Sequence, residues 1–259
     1  MVGNLFWEHG HRMIATTVGM LTIVLMIYIL VKEDRRWVRK LGIVALAGVI
    51  AQGLLGGLTV KLLLPLWVSS AHATLAQLFF CTTVSLAVFT SRSWIQATPI
   101  VEDHPTPPLR YLCTAALVTI FLQLILGATL RHSATWDKEL PTELILAHVG
   151  GAFAVTIILG ISALTVLRRH KRNTFLTRPA KLALTLLVVQ LFLGLAAYLT
   201  RAASPNDPQP LNPMVGVTVA HVACGALVFA TTIVLTLRTY RVLPATESSV
   251  ELAARPQEL

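Results

Sequence analysis

From residue 10 onward the chain is a succession of long apolar runs separated by short polar or basic segments. Seven runs, at about 10–31, 41–60, 70–91, 111–130, 144–167, 180–200 and 215–237, approach the ~20 residues that carry a helix across a bilayer. They lack the two-residue alternation of a membrane barrel strand. Backbone polar groups in lipid must find partners within their own segment, so runs of this kind form helices. The pattern therefore predicts an all-α fold, a polytopic membrane helix bundle of seven spans.

Composition agrees. The chain is 55% hydrophobic and 13% charged, where a soluble domain carries roughly 25% charged residues. Mean hydropathy is +0.71. The net charge of +9 would suit a nucleic-acid partner, but its distribution argues for a membrane instead. With the N-terminus outside, the segments 32–40, 92–110 and 168–181 and the residues after the last span (238–259) all lie inside and hold sixteen of the 21 Lys and Arg residues. Only Arg12, Lys61, Arg131, Lys138 and Arg201 lie on the other side. This is the positive-inside asymmetry. It predicts a multi-pass plasma-membrane protein with a cytoplasmic C-terminus, its basic segments against anionic lipid, and no nucleic acid. Cys81, Cys113 and Cys224 fall within apolar spans and read as buried thiols, with no CxxC and no loop pair. The first run is long enough to span and has no small-residue cleavage site after it, so it reads as a membrane helix and not as a cleaved signal.

The even spans share a phrase: Gln52-Gly-Leu-Leu-Gly56, Gln123-Leu-Ile-Leu-Gly127 and Gln190-Leu-Phe-Leu-Gly194, followed by Thr59, Thr129 and Thr200. Small and amide residues at this spacing serve helix packing and interhelical hydrogen bonding. Recurrence at one position in three spans points to duplication. The expected organisation is a three-helix half at 1–91, a cytoplasmic linker at 92–110, a four-helix half at 111–241 and a disordered tail at 242–259. By this rule a Gln-Gly helix is missing ahead of residue 1, so either the natural chain starts upstream or this is a seven-helix variant.

The odd spans carry His11, His72, His148 and His221, each a few residues inside the outer end. Ionisable residues within spans mark sites by default. At 1.5 Å per residue, the four imidazoles lie ~2–10 Å below the outer edge. Two histidines per half at one depth suit two hemes, each iron taking an axial nitrogen from two facing helices. Small neighbours such as Ala71, Ala73, Ala147, Gly150, Gly151, Ala220 and Ala223 leave room for a flat ring. Any one of these histidines alone is as well explained by an interhelical hydrogen bond or a zinc site; zinc would add acid or thiol ligands. His9, His104, His132 and His170 are set aside, the last three as loop residues.

Glu8 precedes His11 by three residues and shares its helix face. The corresponding positions before His148 and His221 are Ile145 and Thr218, so one site has a carboxylate able to move protons and the other has none. The alternative role for Glu8 is to complement a helix dipole. Arg12, Arg131 and Arg201, with Lys61, are candidate partners for heme propionates; snorkelling to headgroups accounts for them equally.

The Glu8–Arg12 opening (E-x-x-H-R), the Gln52–Thr59 stretch, His72 after Pro65 and Trp67, and the Ala-His pairs at His148 and His221 resemble heme A synthase, the Cox15/CtaA family, over about residues 4–240. The resemblance implies eight helices in two four-helix halves. It implies that His148 and His221 hold a resident heme b, that His11 and His72 bind the substrate heme O, and that Glu8 is the catalytic carboxylate. The implied reaction oxidises the C8 methyl of heme O to a formyl group through hydroxylated intermediates, giving heme A for terminal oxidases. Implied partners are heme O synthase and an electron donor; a homo-oligomer is left open. The cysteine pairs that many bacterial members carry in outer loops are not present. The competing reading is a diheme b-type cytochrome passing electrons between quinol and a partner, for which an acid beside one iron has no use. A third is a heme or metal transporter or sensor, which a histidine path across the membrane would favour; here all four stay near one face.

Overall fold

The computed structural model describes residues 2–63, 65–99, 107–133, 141–203 and 212–243, with the side chains of residues 2–8 and of Asn212 outside the description. The side chain of Glu8, with Lys138, His104 and the tail from residue 244 onward, thus lies outside the described residues. The described chain is helical throughout: α1 (Val2–Lys32), α2 (Arg36–Lys61), α3 (Leu66–Thr90), α4 (Arg92–Ile95), α5 (Leu109–Ser133), α6 (Thr142–Arg169), α7 (Thr174–Ala202) and α8 (Asn212–Val242). All but the short α4 are long and apolar enough to cross a membrane, seven candidate spans in all. This is the multi-pass helical membrane protein that the apolar runs predict.

The helices outrun the apolar runs at most ends, because the basic residues that flank each run are helix formers whose heads reach out of the hydrocarbon. Arg36, Arg39 and Lys40 belong to α2, and His132, expected in a loop, sits in the last turn of α5. The segment 168–181 shrinks to a connection of a few residues after α6, with Asn173 Oδ1 capping α7 by accepting from the N–H groups of Phe175 (3.0 Å) and Leu176 (3.3 Å). The span expected from residue 180 begins at Thr174, with Pro179 inside the helix. Proline there has no N–H for the Phe175 carbonyl, four residues back. Arg238 of α8 supplies the donor: its Nη1 bonds Phe175 O at 2.9 Å, and its guanidinium lies 4.5 Å from the Phe175 ring centre.

The chain forms two compact units, Met1–Phe89 and Thr90–Leu259. In the second, α5 packs on α6 and α8, and α7 packs on α6 and α8, closing a four-helix ring. Its core lies at the end rich in basic residues, where Leu109, Cys113, Ala163, Val166, Leu176, Ala180 and Leu235 are buried. There Arg241 of α8 donates to the carbonyl of Trp94 (3.2 Å), fastening α4 to the bundle. Burial stops at a sharp level. Ile120, Val155, Leu187 and Cys224 are the last buried residues of their helices, and Phe121 stacks on Phe229 nearby, 5.9 Å between centroids. Beyond that level no described residue of α5, α6, α7 or α8 is buried. Half of the bundle is filled by its own side chains and half is not.

In the first unit, α1 packs on α2 around Ile29, Val38 and Ala45, with Leu86 of α3. The α1–α2 connection is held by Glu33, whose carboxylate accepts from Arg35 Nε (2.8 Å) and Nη2 (2.7 Å). Arg35 Nη2 also reaches the carbonyl of Phe89 at the end of α3 (3.0 Å). The hydrogen bonds from Arg35 hold the Glu33 carboxyl down at about 2, against an ordinary value of 4.5. The three cysteines are buried and form no disulfide.

Arg238→Met is expected to lower stability in detergent by about 1–3 kcal/mol, the worth of a charged hydrogen bond on an otherwise orphaned carbonyl. In a Pro179→Ala background the alanine restores a backbone N–H that can donate to Phe175 O, and thermal unfolding is expected to show a smaller loss. Glu33 has a depressed folded-state pKa, so its contribution is present above about 4.5 and lost as pH falls toward about 2. Between these values the stability of wild type is expected to fall more steeply than that of Glu33→Gln, as read by unfolding at each pH.

Candidate functional site

The open half of the second unit contains His148 and His221. Both stand about two turns inside the start of their helices, α6 and α8, and are half-buried. Their ring centroids are 6.4 Å apart and the ring planes are inclined at 73°. Each is seated by the preceding helix. A Cβ placed on Gly127 of α5 would lie 2.9 Å from His148 Cε1, and one on Gly194 of α7 would lie 2.9 Å from His221 Cε1. Gln123 Nε2 lies 3.1 Å from His148 Nδ1 and donates to the His148 carbonyl at 2.7 Å. Gln190 Nε2 lies 3.3 Å from His221 Nε2.

The first unit repeats the arrangement once. A Cβ on Gly56 of α2 would meet His72 Cε1 of α3 at 3.0 Å, and Gln52 Nε2 lies 3.4 Å from His72 Nε2. His11, on the exposed side of α1, is close enough to His72 for their charges to interact. Glu8 lies one turn earlier on the same continuous helix. Arg131 and Arg201 occupy the last turns of α5 and α7, at the histidine end of the second unit, and Arg12 follows His11 on α1.

The fit to the glycines and glutamines was not foreseen from sequence, where the repeated phrase stood for packing and duplication. Its signal was available: Gln and Gly recur at the level in the even spans at which histidine recurs in the odd ones. The contact is reciprocal in the second unit. A Cβ on Gly151, three residues after His148, would overlap the Gln123 Oε1, and one on Gly225, four after His221, would lie 3.1 Å from Gln190 Nε2. The threonines after the phrase have a plainer role. Thr59 and Thr200 bond carbonyls of their own helices, Leu55 and Ala196. Among the described residues no three His, Cys, Asp or Glu side chains converge on one point, so the donors present are paired imidazoles and not a tetrahedral set.

A membrane helix bundle that presents paired imidazoles in an unfilled, apolar half has the form of a porphyrin-binding membrane protein. The family model of COX15-CtaA, cytochrome oxidase assembly protein, matches residues 2–138. The chain belongs to this family, and its role lies in heme A biosynthesis for cytochrome oxidase. The match covers the first unit and α5 and ends before α6. No curated protein and no solved structure gives a match. His148 and His221 therefore stand on their geometry, and the separation of their rings is that of two ligands on one iron. Two axial imidazoles on one iron, with metal–nitrogen bonds of about 2 Å, have centroids ~6.3 Å apart, against 6.4 Å between His148 and His221.

Gly127→Ala and Gly194→Ala are expected to cost about 1–3 kcal/mol as overpacking displaces an imidazole. Gly150→Ala, with nothing within 4 Å of the added carbon, is expected to be neutral or stabilising by about 0.5–1 kcal/mol. Thermal unfolding of the three variants in one detergent checks the contrast.

Proposed function

We propose that this chain is a heme A synthase, oxidising the C8 methyl of heme O to a formyl group. The observation that carries the reading is the His148–His221 pair, two imidazoles at the separation of axial ligands in a half-bundle without a filled core. In this reading His148 and His221 hold a resident heme b, with Arg131 and Arg201 near its propionates. His11 and His72 bind heme O, with Arg12 beside them. The resident heme would supply a redox centre through which electrons from a donor reach the site.

The chain's own residues do the remainder. His72 is held against Gly56 by the fit of its ring and by Gln52, which orients the substrate's iron ligand. Glu8 lies three residues before His11 on one helix, about 60° around its axis. The conversion replaces C–H bonds of the methyl by bonds to an oxygen taken from dioxygen or water, and in this reading the Glu8 carboxylate moves protons at the reacting carbon. Ile145 and Thr218 at the corresponding positions before His148 and His221 cannot. One site is equipped for chemistry and the other for electron passage. The protein sits in the plasma membrane with its N-terminus outside, its histidine ends toward the outer face, and receives heme O from a heme O synthase.

Expression with a heme O synthase, followed by heme extraction, chromatography and mass analysis, tests the reading. Wild type is expected to yield heme A. Glu8→Ala is expected to lose heme A by about 100-fold or more while keeping heme b, the scale of a lost general acid–base group. Two reversible b hemes and no heme A, in a host whose other oxidase-assembly steps work, would leave a diheme cytochrome.

A further inference from the structure

Gln52, Gln123 and Gln190 each bring an amide nitrogen within 3.1–3.4 Å of a ring nitrogen on the next helix. In all three the amide oxygen is buried and has no hydrogen-bond partner among the described residues. The Nδ1 atoms of His72 and His221 are likewise buried without a partner. Each of these two pairs therefore holds an unmet amide oxygen and an unmet ring nitrogen, the amide itself standing against the ring's other nitrogen, Nε2. Rotation of the amide about its last side-chain bond offers the oxygen to the ring in place of the nitrogen. The state that calls for this is an imidazole whose lone pair is given to a metal. Its other nitrogen must then carry the proton and donate.

We propose that Gln190 is a positioning residue for the axial histidine His221. With iron on one nitrogen of His221, the Gln190 amide oxygen accepts the N–H of the other nitrogen, while Gln123 holds its histidine's helix through the His148 carbonyl. The bond fixes the tautomer and the ring angle and makes the imidazole a stronger donor to iron. Gln52 stands in the same relation to His72. Gly151 and Gly225 keep the space the amides occupy clear of any Cβ. A glutamine that merely joined helices could bond any polar group of its neighbour; in all three repeats the imidazole is contacted, and in two of them, at Gln52 and Gln190, it is the side chain's partner. The inference rests on the heme-binding part of the proposed function and is independent of Glu8 and of formyl chemistry.

Gln190 gives the cleaner test, since Gln123 also holds the His148 carbonyl. Wild type, Gln190→Leu and Gln190→Glu are purified with their heme from one host, and heme content, midpoint potential and low-spin electron paramagnetic resonance are measured. Gln190→Leu removes the acceptor and is expected to favour the ferrous state by roughly tenfold, a rise of about 59 mV for a one-electron couple. Gln190→Glu keeps an acceptor of the same shape and greater strength, and is expected to retain heme and shift the potential downward. A leucine variant that loses heme where the glutamate variant keeps it supports the proposal equally. Two variants that behave alike, both as wild type or both stripped of heme, overturn it, as do shifts of the opposite sign. Heme A is scored separately. A wild type that holds heme but makes no heme A removes the catalytic reading and leaves this one standing; a wild type without heme overturns both.

Discussion

An imidazole buried among membrane helices needs space for its ring and a partner for its nitrogens, and both come here from one stretch of the preceding helix. The glycine four residues after each glutamine lets the ring lie against the helix backbone, while the glutamine one turn earlier reaches a ring nitrogen. The same contact sets how closely α5 meets α6 and α7 meets α8, because the ring is the spacer between them. Lipid gives helices no hydrophobic reason to associate, so small residues and interhelical hydrogen bonds carry that task. The grip that positions the histidine is thus also what holds the helix pair together at that end.

Stability and site divide the second unit along its length. At the basic end, Leu109, Cys113, Ala163, Val166, Leu176, Ala180 and Leu235 pack to near-complete burial, and arginines of α8 take the carbonyl that Pro179 leaves unmet and add a bond to the carbonyl of Trp94 in α4. At the histidine end no described residue is buried as a whole, though single polar atoms of Gln123, Gln190 and His221 are. A bundle closed at both ends would have no room for a planar macrocycle. One open at both would have little to hold its helices in register, since close-packed contacts are what fix a single arrangement. The two histidines sit where the packed half can fix their helices and the open half can admit a ligand.

The two units share this grip but not their surroundings. His148 and His221 are each seated by a glutamine–glycine helix of their own unit, whereas His11 lies on an exposed face of α1 with Glu8 one turn away. The family match covers the stretch with the acid; the other pair is defined by distance alone. In the chain Glu8 precedes His11 by three residues, where Ile145 and Thr218 precede His148 and His221, and the proposed function takes this inequality to separate a reacting site from a relaying one.

Much of this was legible in the chain itself. Seven spans follow from apolar length, because lipid leaves a backbone no option but the helix, and the histidines stand out because a polar group there is costly. The repeat of Gln and Gly was visible too, but only as a rhythm. Sequence could not say which helix the phrase faces, since helix-to-helix rotation depends on packing partners far apart in the chain. Gln123 and Gly127 meet His148 across a helix pair, and His148 meets His221 across the bundle. Pro179 escaped prediction for the same reason: the carbonyl it leaves unmet is answered by Arg238, on the next helix but near its far end. The sequence by itself determined that the chain crosses the membrane and which residues are chemically equipped. Tertiary structure alone decided that the imidazoles of α6 and α8 lie 6.4 Å apart in an unfilled space, because that distance is set by how four helices pack and not by any one of them.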